Sequence, residues 1–368
     1  MNGQTELSSR ILAHVRSFYV PEQYPALIAQ AEEWRHSQPF AGRKLLDVTP
    51  IFRNTMAKYW ALLEGGAELS LAVGRMMPHD PDVVTLLRNW GIHVYSDSLP
   101  AQKQFDVILD CAGSFADSPV KYGFVELTRT GAGRFRSCAK PVFLADASRI
   151  KEIETCLGTG NGLFRALDFL NIPCLPNAKL VLFGYGKVGR GIAMYAQERQ
   201  LQVTVVDLKE PAGELPENVN FLTLKERSRL EEVLRQADFV VTATGVRNAL
   251  AGAFDPEILL DGHAVLANMG VEDEYGSAIP VDRVLNQKKP LNFVLEEPTL
   301  LEYIETTMAL HNAGALSILQ GNCKAGLNPV PYELEQHLLA VSVAGGKLGP
   351  AMKKAGIYDY EQCVNPER

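Results

Sequence analysis

Apolar residues along the chain alternate between short continuous runs and sets at helical spacing. The runs typical of buried strands are 44–48, 67–73, 92–95 and 105–110. The sets at helical spacing are 8–19, 22–36, 54–64 and 81–90. Because strands and helices alternate here, we expect residues 43–113 to form an α/β domain with a parallel sheet.

The same alternation resumes in the second half of the chain. Strands are expected at 180–183, 201–206, 220–222, 239–243 and 263–267. Helices are expected at 149–170, 225–236, 255–260, 303–319 and 333–339. The glycine-dense stretch 158–162 indicates close packing or a bend inside the first of these helices. The pattern predicts a second, doubly wound α/β unit.

A glycine-rich turn follows the run at 180–183. Gly184 permits a tight turn, Gly186 lets the backbone approach a pyrophosphate, and Gly189 lets the next helix pack close to the strand. The next apolar run ends in Asp207, which can accept hydrogen bonds from a ribose diol and would repel a 2′-phosphate. This order predicts a Rossmann-type unit that binds NAD in preference to NADP. The alternative is a glycine-rich turn in another kind of α/β unit.

Composition narrows the class of protein. The chain has 368 residues, is 46% hydrophobic and 21% charged, and carries a net charge of −7, which disfavours nucleic acid as a partner. Its six cysteines form no Cys-x-x-Cys pair, so we expect no metal site. We expect the protein to be located in the reducing cytoplasm. Residues 1–20 lack the pattern of a signal peptide, and no apolar run is long enough to span a membrane.

Several motifs together resemble the adenosylhomocysteinase family. The glycine turn, Thr242-Ala-Thr-Gly245 and Ala267-Asn-Met-Gly270 are similar to its cofactor domain. Phe40–Leu46, Leu62–Leu69 and Asp106–Asp110 are similar to its upstream segments and occur in the same order, so the resemblance covers about residues 20–325. Enzymes of this family keep NAD tightly bound, oxidise a nucleoside 3′-hydroxyl, eliminate or add a thiol, and reduce the ketone again.

The resemblance implies an architecture and a set of NAD contacts. We expect an adenosylhomocysteinase-like α/β fold, with a Rossmann-type NAD domain at 157–307 and an α/β substrate domain at 1–156 and 308–368. It also implies a homodimer or homotetramer. The residues expected to hold NAD are Gly184, Gly186, Lys187, Val188, Gly189, Asp207, Thr244, Gly245 and Asn268, together with Thr128 and Thr130 near the nicotinamide.

The substrate half departs from the family pattern. Pro50 stands where the family has a histidine that reaches the nucleoside, and Val271 replaces a histidine of the cofactor domain. Asp110 is the remaining acid of an acid-rich turn. The family's catalytic lysine is displaced by one position to Lys151, about 100° around a helix. We therefore expect retained hydride chemistry on a different substrate.

The candidate catalytic residues are His311, Asp110, Glu154 and Lys151, and the candidate substrate residues are Arg53, Asn54, Glu126 and Arg129. Arginines near a nicotinamide, with His79 and Lys151, would suit a carboxylate on the substrate. Arg53 is expected to begin a helix, where a cation is unfavourable, which favours a ligand role.

Each candidate also has a structural interpretation. His311 fits a packed helix histidine, Asp110 a turn acid, and Glu126 a surface acid. Lys151 and Glu154 fit a solvated charged face better than a site. Cys111 fits a small buried cysteine better than a nucleophile.

We predict an NAD-dependent oxidoreductase acting on a small polar metabolite, with a carboxylate as one expectation. One alternative is a divergent nucleoside thioether hydrolase or lyase that uses internal NAD redox. The other is a non-catalytic NAD-binding regulatory protein.

Overall fold

Strands form two separate parallel sheets in a computed structural model that describes residues 2–74, 77–211, 215–216 and 218–355. The chain divides into two compact units. The first unit comprises Met1–Glu154 and Leu300–Arg368, and the second unit comprises Thr155–Thr299. Both sheets confirm the expected α/β class.

The first unit contains a seven-stranded sheet. Its strands, numbered in chain order, are β1 (Lys44–Asp47), β2 (Glu68–Ala72), β3 (His93–Tyr95), β4 (Phe105–Asp110), β5 (Val120–Glu126), β6 (Pro141–Leu144) and β12 (Gly326–Asn328). They lie in the order β12-β6-β5-β4-β1-β2-β3, and all neighbours pair in parallel. Parallel pairing places the carboxyl ends of the strands at one edge.

Helices cover this sheet. They are α1 (Asn2–Phe18), α2 (Pro25–Ser37), α3 (Met56–Glu64), α4 (Pro81–Asn89), α5 (Arg129–Ala132), α6 (Arg149–Ile153), α11 (Leu301–Leu319), α12 (Tyr332–Gly345) and α13 (Leu348–Ala355). Helix α11 is buried along most of its length because it packs against β4, β5 and β6 on one side and against α2, α3 and α12 on the other. A helix that is apolar all round is typical of such a central position.

The second unit contains a five-stranded parallel sheet. Its strands are β7 (Lys179–Phe183), β8 (Gln202–Asp207), β9 (Val219–Thr223), β10 (Phe239–Thr242) and β11 (Val265–Asn268), in the order β11-β10-β7-β8-β9. Its helices are α7 (Gly160–Phe169), α8 (Lys187–Glu198), α9 (Arg227–Arg235) and α10 (Glu257–Leu260). The strand order reverses between β7 and β10, which is where doubly wound sheets bind their ligands.

The long helix expected at 149–170 is interrupted. Helix α6 ends at Ile153, a π-helical turn spans Glu154–Thr159, and α7 begins at Gly160. A Cβ on Gly160 would lie 2.7 Å from the carbonyl carbon of Gly191 in α8. The glycine-dense stretch therefore permits close packing against α8, which is one of the two interpretations of its composition.

Three strands were not predicted, namely β5, β6 and β12. Strand β12 has three residues and pairs only with β6, so its identity depends on that tertiary contact. The C-terminal segment beyond residue 355, which contains Tyr358, Tyr360 and Cys363, lies outside the described residues. In the part of the chain that the structure describes, no helix combines the length and the apolar character of a membrane span.

Candidate functional site

A tight glycine turn joins β7 to α8 in the second unit. Gly184 has φ of +94°, and a Cβ there would lie 2.6 Å from the carbonyl oxygen of Ala243. A Cβ on Gly189 would lie 2.0 Å from the carbonyl oxygen of Gly184. Glycine is required at both positions because backbone occupies the space of a side chain.

The middle glycine faces open space. Apart from its chain neighbours, no described atom lies within 4 Å of a Cβ built on Gly186. Gly186 is the N-cap of α8 and, as a glycine, supplies no side-chain cap. Lys187 and Val188 form the first turn beside it. The N-terminus of a helix presents N–H groups and partial positive charge, so this cradle fits a pyrophosphate.

Asp207 connects the glycine turn to the end of β8. Its Oδ2 accepts the N–H of Tyr185 at 2.8 Å, and its Oδ1 accepts the N–H of Leu208 at 2.6 Å. Each carboxylate oxygen has a second lone pair, so the half-buried Asp207 can also accept hydrogen bonds from a ribose diol. These residues fit the adenosine half of NAD.

A buried acid shapes the loop after β10. Glu274 has no exposed surface, and it accepts the N–H and hydroxyl of Thr244 at 2.8 and 2.7 Å and the N–H of Gly245 at 2.7 Å. Burial raises the pKa of Glu274, and these donors oppose that shift. The backbone N–H groups of the predicted NAD residues Thr244 and Gly245, and the Thr244 hydroxyl, therefore point to Glu274 inside the protein. Gly245 has φ of +71°, and the space beside its Cα is open.

Asn268, at the end of β11, is an internal anchor. Its side-chain nitrogen donates to the carbonyl oxygens of Gly270, Glu272 and Lys288 at 3.0, 2.8 and 2.6 Å. Its side-chain oxygen accepts the hydroxyl of Thr242 at 2.9 Å. Asn268 is fully buried, so it supports the carboxyl edge of the sheet instead of presenting its amide there.

Three acids end three neighbouring strands in the first unit. Asp47 ends β1, Asp110 ends β4 and Glu126 ends β5, and none has exposed surface. Asp110 and Glu126 are direct partners in the parallel register. Sequence reasoning identified these two and missed Asp47. Burial corrects the surface-acid interpretation of Glu126.

The carboxylate of Glu126 is engaged by two loops. It accepts the N–H groups of Ala112, Gly113 and Thr128 at 3.1, 3.0 and 2.7 Å, and the Thr128 hydroxyl at 2.7 Å. Asp110 accepts the N–H groups of Cys111 and Phe115 at 2.7 and 3.0 Å. Both acids thus bind the chain's own backbone.

The predicted threonines lie just after β5. Thr128 is the N-cap of α5, and its hydroxyl accepts the N–H of Gly131 at 3.1 Å. Thr130 is half-buried in the same short helix, and Arg129 is exposed beside it. Glu126, through Thr128, therefore determines where Arg129 begins the helix.

His311 is fully buried in the middle of α11. Its Nε2 lies 3.1 Å from the carbonyl oxygen of Val125, and its Nδ1 lies 3.5 Å from the hydroxyl of Thr49. Burial, and next the charge of Lys58, lowers the pKa of His311 to about 3. The ring is therefore neutral at pH 7, and Nε2–H donates to Val125. This geometry favours the packed-histidine interpretation.

Lys151 and Glu154 form a buried ion pair. The Lys151 ammonium lies 2.9 and 2.7 Å from the two carboxylate oxygens of Glu154, and the side chains are 10% and 5% exposed. Burial acts to lower the pKa of Lys151, but the neighbouring Glu154 carboxylate raises it overall. The solvated-face interpretation is therefore wrong, because the short α6 turns this face into the protein.

Arg53 precedes α3 instead of beginning it. The helix starts at Met56 with Thr55 as N-cap, so the unfavourable cation expected in the first turn does not arise. The guanidinium carbon of Arg53 lies 4.2 Å from the centroid of the Phe18 ring, and Asn54 is buried. Arg53 is thus held by a cation–π contact.

Lys58 was not predicted from the sequence. Its ammonium pairs with Asp47, and neither side chain has exposed surface. Burial lowers the pKa of Lys58, and Asp47 opposes this shift. The available signal was a lysine inside the otherwise apolar run of α3.

Cys111 is buried, as the sequence predicts. Burial, followed by the charge of Glu126, raises the pKa of its thiol well above the usual range. It is a thiol and not a nucleophilic thiolate at neutral pH. Among the described residues, no group of three His, Cys, Asp or Glu side chains is placed to hold a metal ion.

Comparison with known proteins identifies the second unit. Residues 160–294 match the family model of the S-adenosyl-L-homocysteine hydrolase NAD-binding domain. NAD is the cofactor of this chain. The match covers β7 to β11, including the open glycine turn and Asp207.

Curated relatives extend the likeness beyond the NAD domain. An adenosylhomocysteinase from Thermoplasma acidophilum is 23% identical over 77% of this chain and 74% of its own length. An S-inosyl-L-homocysteine hydrolase from Methanococcus maripaludis is 23% identical over 81% of this chain and 77% of its own length. Among solved structures, a dipicolinate synthase chain from Bacillus halodurans is 12% identical, covers 75% of this chain and 99% of its own, and has a TM-score of 0.48. The family model and the curated relatives support an NAD-dependent enzyme, a divergent relative of the adenosylhomocysteinases.

Proposed function

We propose that this chain is an NAD-dependent oxidoreductase acting on a small polar metabolite. The observation that carries the proposal is the open glycine cradle at Gly186, next to an Asp207 that retains free lone pairs. NAD supplies the hydride acceptor when bound. Gly184 and Gly189 keep the turn close to β10 and α8, and Asp207 binds the ribose diol and disfavours a 2′-phosphate.

Lys151 and Glu154 are the residues we assign to the proton transfer. An alcohol that loses a hydride must also lose its hydroxyl proton. The Glu154 carboxylate accepts that proton, and the Lys151 ammonium stabilises the negative charge that develops on the substrate oxygen. The Glu154 carboxylate holds the Lys151 ammonium in one orientation. His311 is a poorer candidate because its ring is buried, its lowered pKa makes it a weak base, and its Nε2–H is bonded to Val125.

A carboxylate on the substrate is supported by Arg129. This side chain is exposed at the first position of α5, and Thr128 fixes the start of that helix. Its planar guanidinium suits bidentate binding of a carboxylate. Arg53 supports this substrate class less, because its guanidinium lies over Phe18.

A nucleoside thioether hydrolase with internal NAD redox is the second candidate. The curated relatives named adenosylhomocysteinase and S-inosyl-L-homocysteine hydrolase favour it. The absence of the family histidine at Pro50 disfavours it.

Nicotinamide absorbance, together with an assay for free thiol, tests both candidates. The purified chain is mixed with NAD and pools of hydroxy acids or nucleoside thioethers. Net NADH formation from hydroxy acids supports the oxidoreductase, and thiol release without net NADH supports the hydrolase. Neither signal, with NAD still bound, contradicts both and favours a regulatory protein.

Variants test the role of Lys151. Lys151→Met should lower turnover about 100-fold or more, and Lys151→Arg should restore part of it. The matched control is Lys140→Met, since Lys140 is an exposed lysine of the same unit whose ammonium donates to the carbonyl oxygen of Lys121. Unchanged turnover in Lys151→Met would remove Lys151 from the mechanism.

A further inference from the structure

The loop after β4 has an unusual backbone. Ala112 and Gly113 both adopt left-handed conformations, with φ of +59° and +61°. An alanine in this region is strained by about 1–2 kcal/mol. Such strain persists only where surrounding contacts determine the conformation.

The contacts that determine this loop come from two buried acids. N–H groups of Cys111 and Phe115 donate to Asp110, and those of Ala112 and Gly113 donate to Glu126. The loop thus wraps its amides around two carboxyl groups that are neighbours in register and have no exposed surface. Two carboxylates in one buried site do not both ionise readily, because their charges repel in a medium that screens them poorly.

The cations around the pair are engaged by other acids. Cys111 follows Asp110 in the chain, and His311 binds the carbonyl oxygen of the residue before Glu126. The charged groups from neighbouring elements that act on these two residues are Lys151 of α6, Lys58 of α3 and Asp47 of β1. Lys151 is engaged by Glu154, Lys58 by Asp47, and His311 is neutral. Burial and the charge of Glu126 raise the pKa of Asp110 to about 8, and burial also raises the pKa of Glu126.

We propose that Asp110 and Glu126 share one proton at neutral pH and that this proton positions loop 111–115. Asp110 carries the proton, because Glu126 accepts more hydrogen bonds. Both are positioning residues: Glu126 also holds Thr128 and hence the start of α5, so one carboxyl pair orients two loops at the carboxyl edge.

The outer side of the loop is part of a cleft. Ser114 and Phe115 line a cavity of about 410 Å³ together with Asp117 and Arg134. A Cβ on Gly113 would lie 2.9 Å from the side chain of Arg134, so this arginine packs directly on the loop. Loss of the shared proton therefore changes the wall of this cleft and the support of Arg134.

Hydrogen exchange on the full-length protein tests the proposal without a substrate. Amide protection of 111–115, corrected for chemical exchange, is compared at about pH 6.5 and about pH 9.5. The wild type should lose about tenfold or more of this protection at the higher pH, because the pair then carries two negative charges. Asp110→Asn should show little difference between the two pH values.

Asp106→Asn is the matched control. Asp106 lies on the same strand and accepts the backbone N–H of Lys44 at 2.8 Å, but it is only half-buried. It should keep the wild-type pH dependence. A carbon-13 NMR titration of the wild-type aspartate and glutamate carboxyls keeps the test decisive if Asp110→Asn fails to fold. Ordinary acidic titration of both carboxyls, or equal protection of wild-type loop 111–115 at the two pH values, would overturn the proposal.

Discussion

Two loops of this protein follow parallel strands and bend through left-handed residues, yet their amides have different partners. The turn after β7 bends at Gly184, binds Asp207 through Tyr185, and leaves open space at Gly186. The loop after β4 bends at Ala112 and directs its amides to the protein's own acids. The same topology therefore forms a ligand cradle in one unit and an internally filled loop in the other.

The difference shows how function can be divided between the two units. An open cradle selects a ligand that brings its own negative charge, such as a pyrophosphate. In the loop after β4, the backbone amides and the two carboxyl groups already bind one another. These acids therefore position the loop and are less available to bind a substrate. For this reason we assign NAD to the second unit and positioning roles to Asp110 and Glu126.

The largest expected effect comes from filling the contact at Gly189. Gly189→Val places a side chain against the carbonyl oxygen of Gly184, so NADH affinity should fall about 100-fold, with a loss of about 3 kcal/mol in unfolding free energy. Fluorescence titration and urea unfolding measure these. Gly133→Ala is the control, since a Cβ there meets no neighbour. Wild-type NADH binding by Gly189→Val would show that the turn is not the cradle.

His311 tests whether the buried polar groups of the first unit are structural. Its pKa of about 3 in the folded state lies below the unfolded value, so the folded protein binds fewer protons and loses stability as pH falls below about 6.5. Between pH 6.5 and pH 5 this amounts to about 2 kcal/mol. His311→Gln should flatten the acid side of a Tm–pH profile and change turnover less than tenfold. A loss of about 100-fold or more in turnover would instead make His311 the general acid/base.

Asp207 tests whether the glycine cradle selects NADH over NADPH. Asp207→Ala removes the ribose acceptor and the support of Tyr185, so NADH affinity should fall about tenfold while NADPH affinity changes less. Parallel titrations with the two nucleotides give the ratio. A preference for NADH as strong as that of the wild type would exclude Asp207 from this role.

The smallest effect concerns strain in the filled loop. Ala112→Gly relieves a left-handed alanine but adds freedom to the unfolded chain, so unfolding free energy should rise by about 0.5–1 kcal/mol. Gly113→Ala is the contrasting variant and should destabilise, because its Cβ would meet Arg134. Denaturant unfolding of the pair measures both. A destabilised Ala112→Gly would mean that the loop is not strained there.

The open cradle could be predicted from sequence because its chemistry is local. One strand–turn–helix–strand unit contains all four of its residues, Gly184, Gly186, Gly189 and Asp207. The filled loop could not be predicted in the same way. Glu126 binds amides of a different strand's loop, and the strand that carries it, β5, was not predicted.

The buried ion pairs also could not be predicted from the sequence. Lys151 and Glu154 look solvated in a charged stretch of sequence, and the packing that buries them involves α12, whose Glu335 accepts the N–H of Arg149 at the start of α6. Lys58 was missed because its partner Asp47 lies on another element. Both pairs are properties of tertiary contacts.

Gly186→Val tests the central claim most directly. The open space at this position accepts a side chain, and its backbone is extended, so thermal stability should stay within about 0.5 kcal/mol of the wild type. NADH affinity, measured by fluorescence titration of the full-length protein, should fall about 100-fold because the side chain occupies the pyrophosphate position. Undiminished NADH binding by a stable Gly186→Val protein would contradict the assignment of NAD to this cradle.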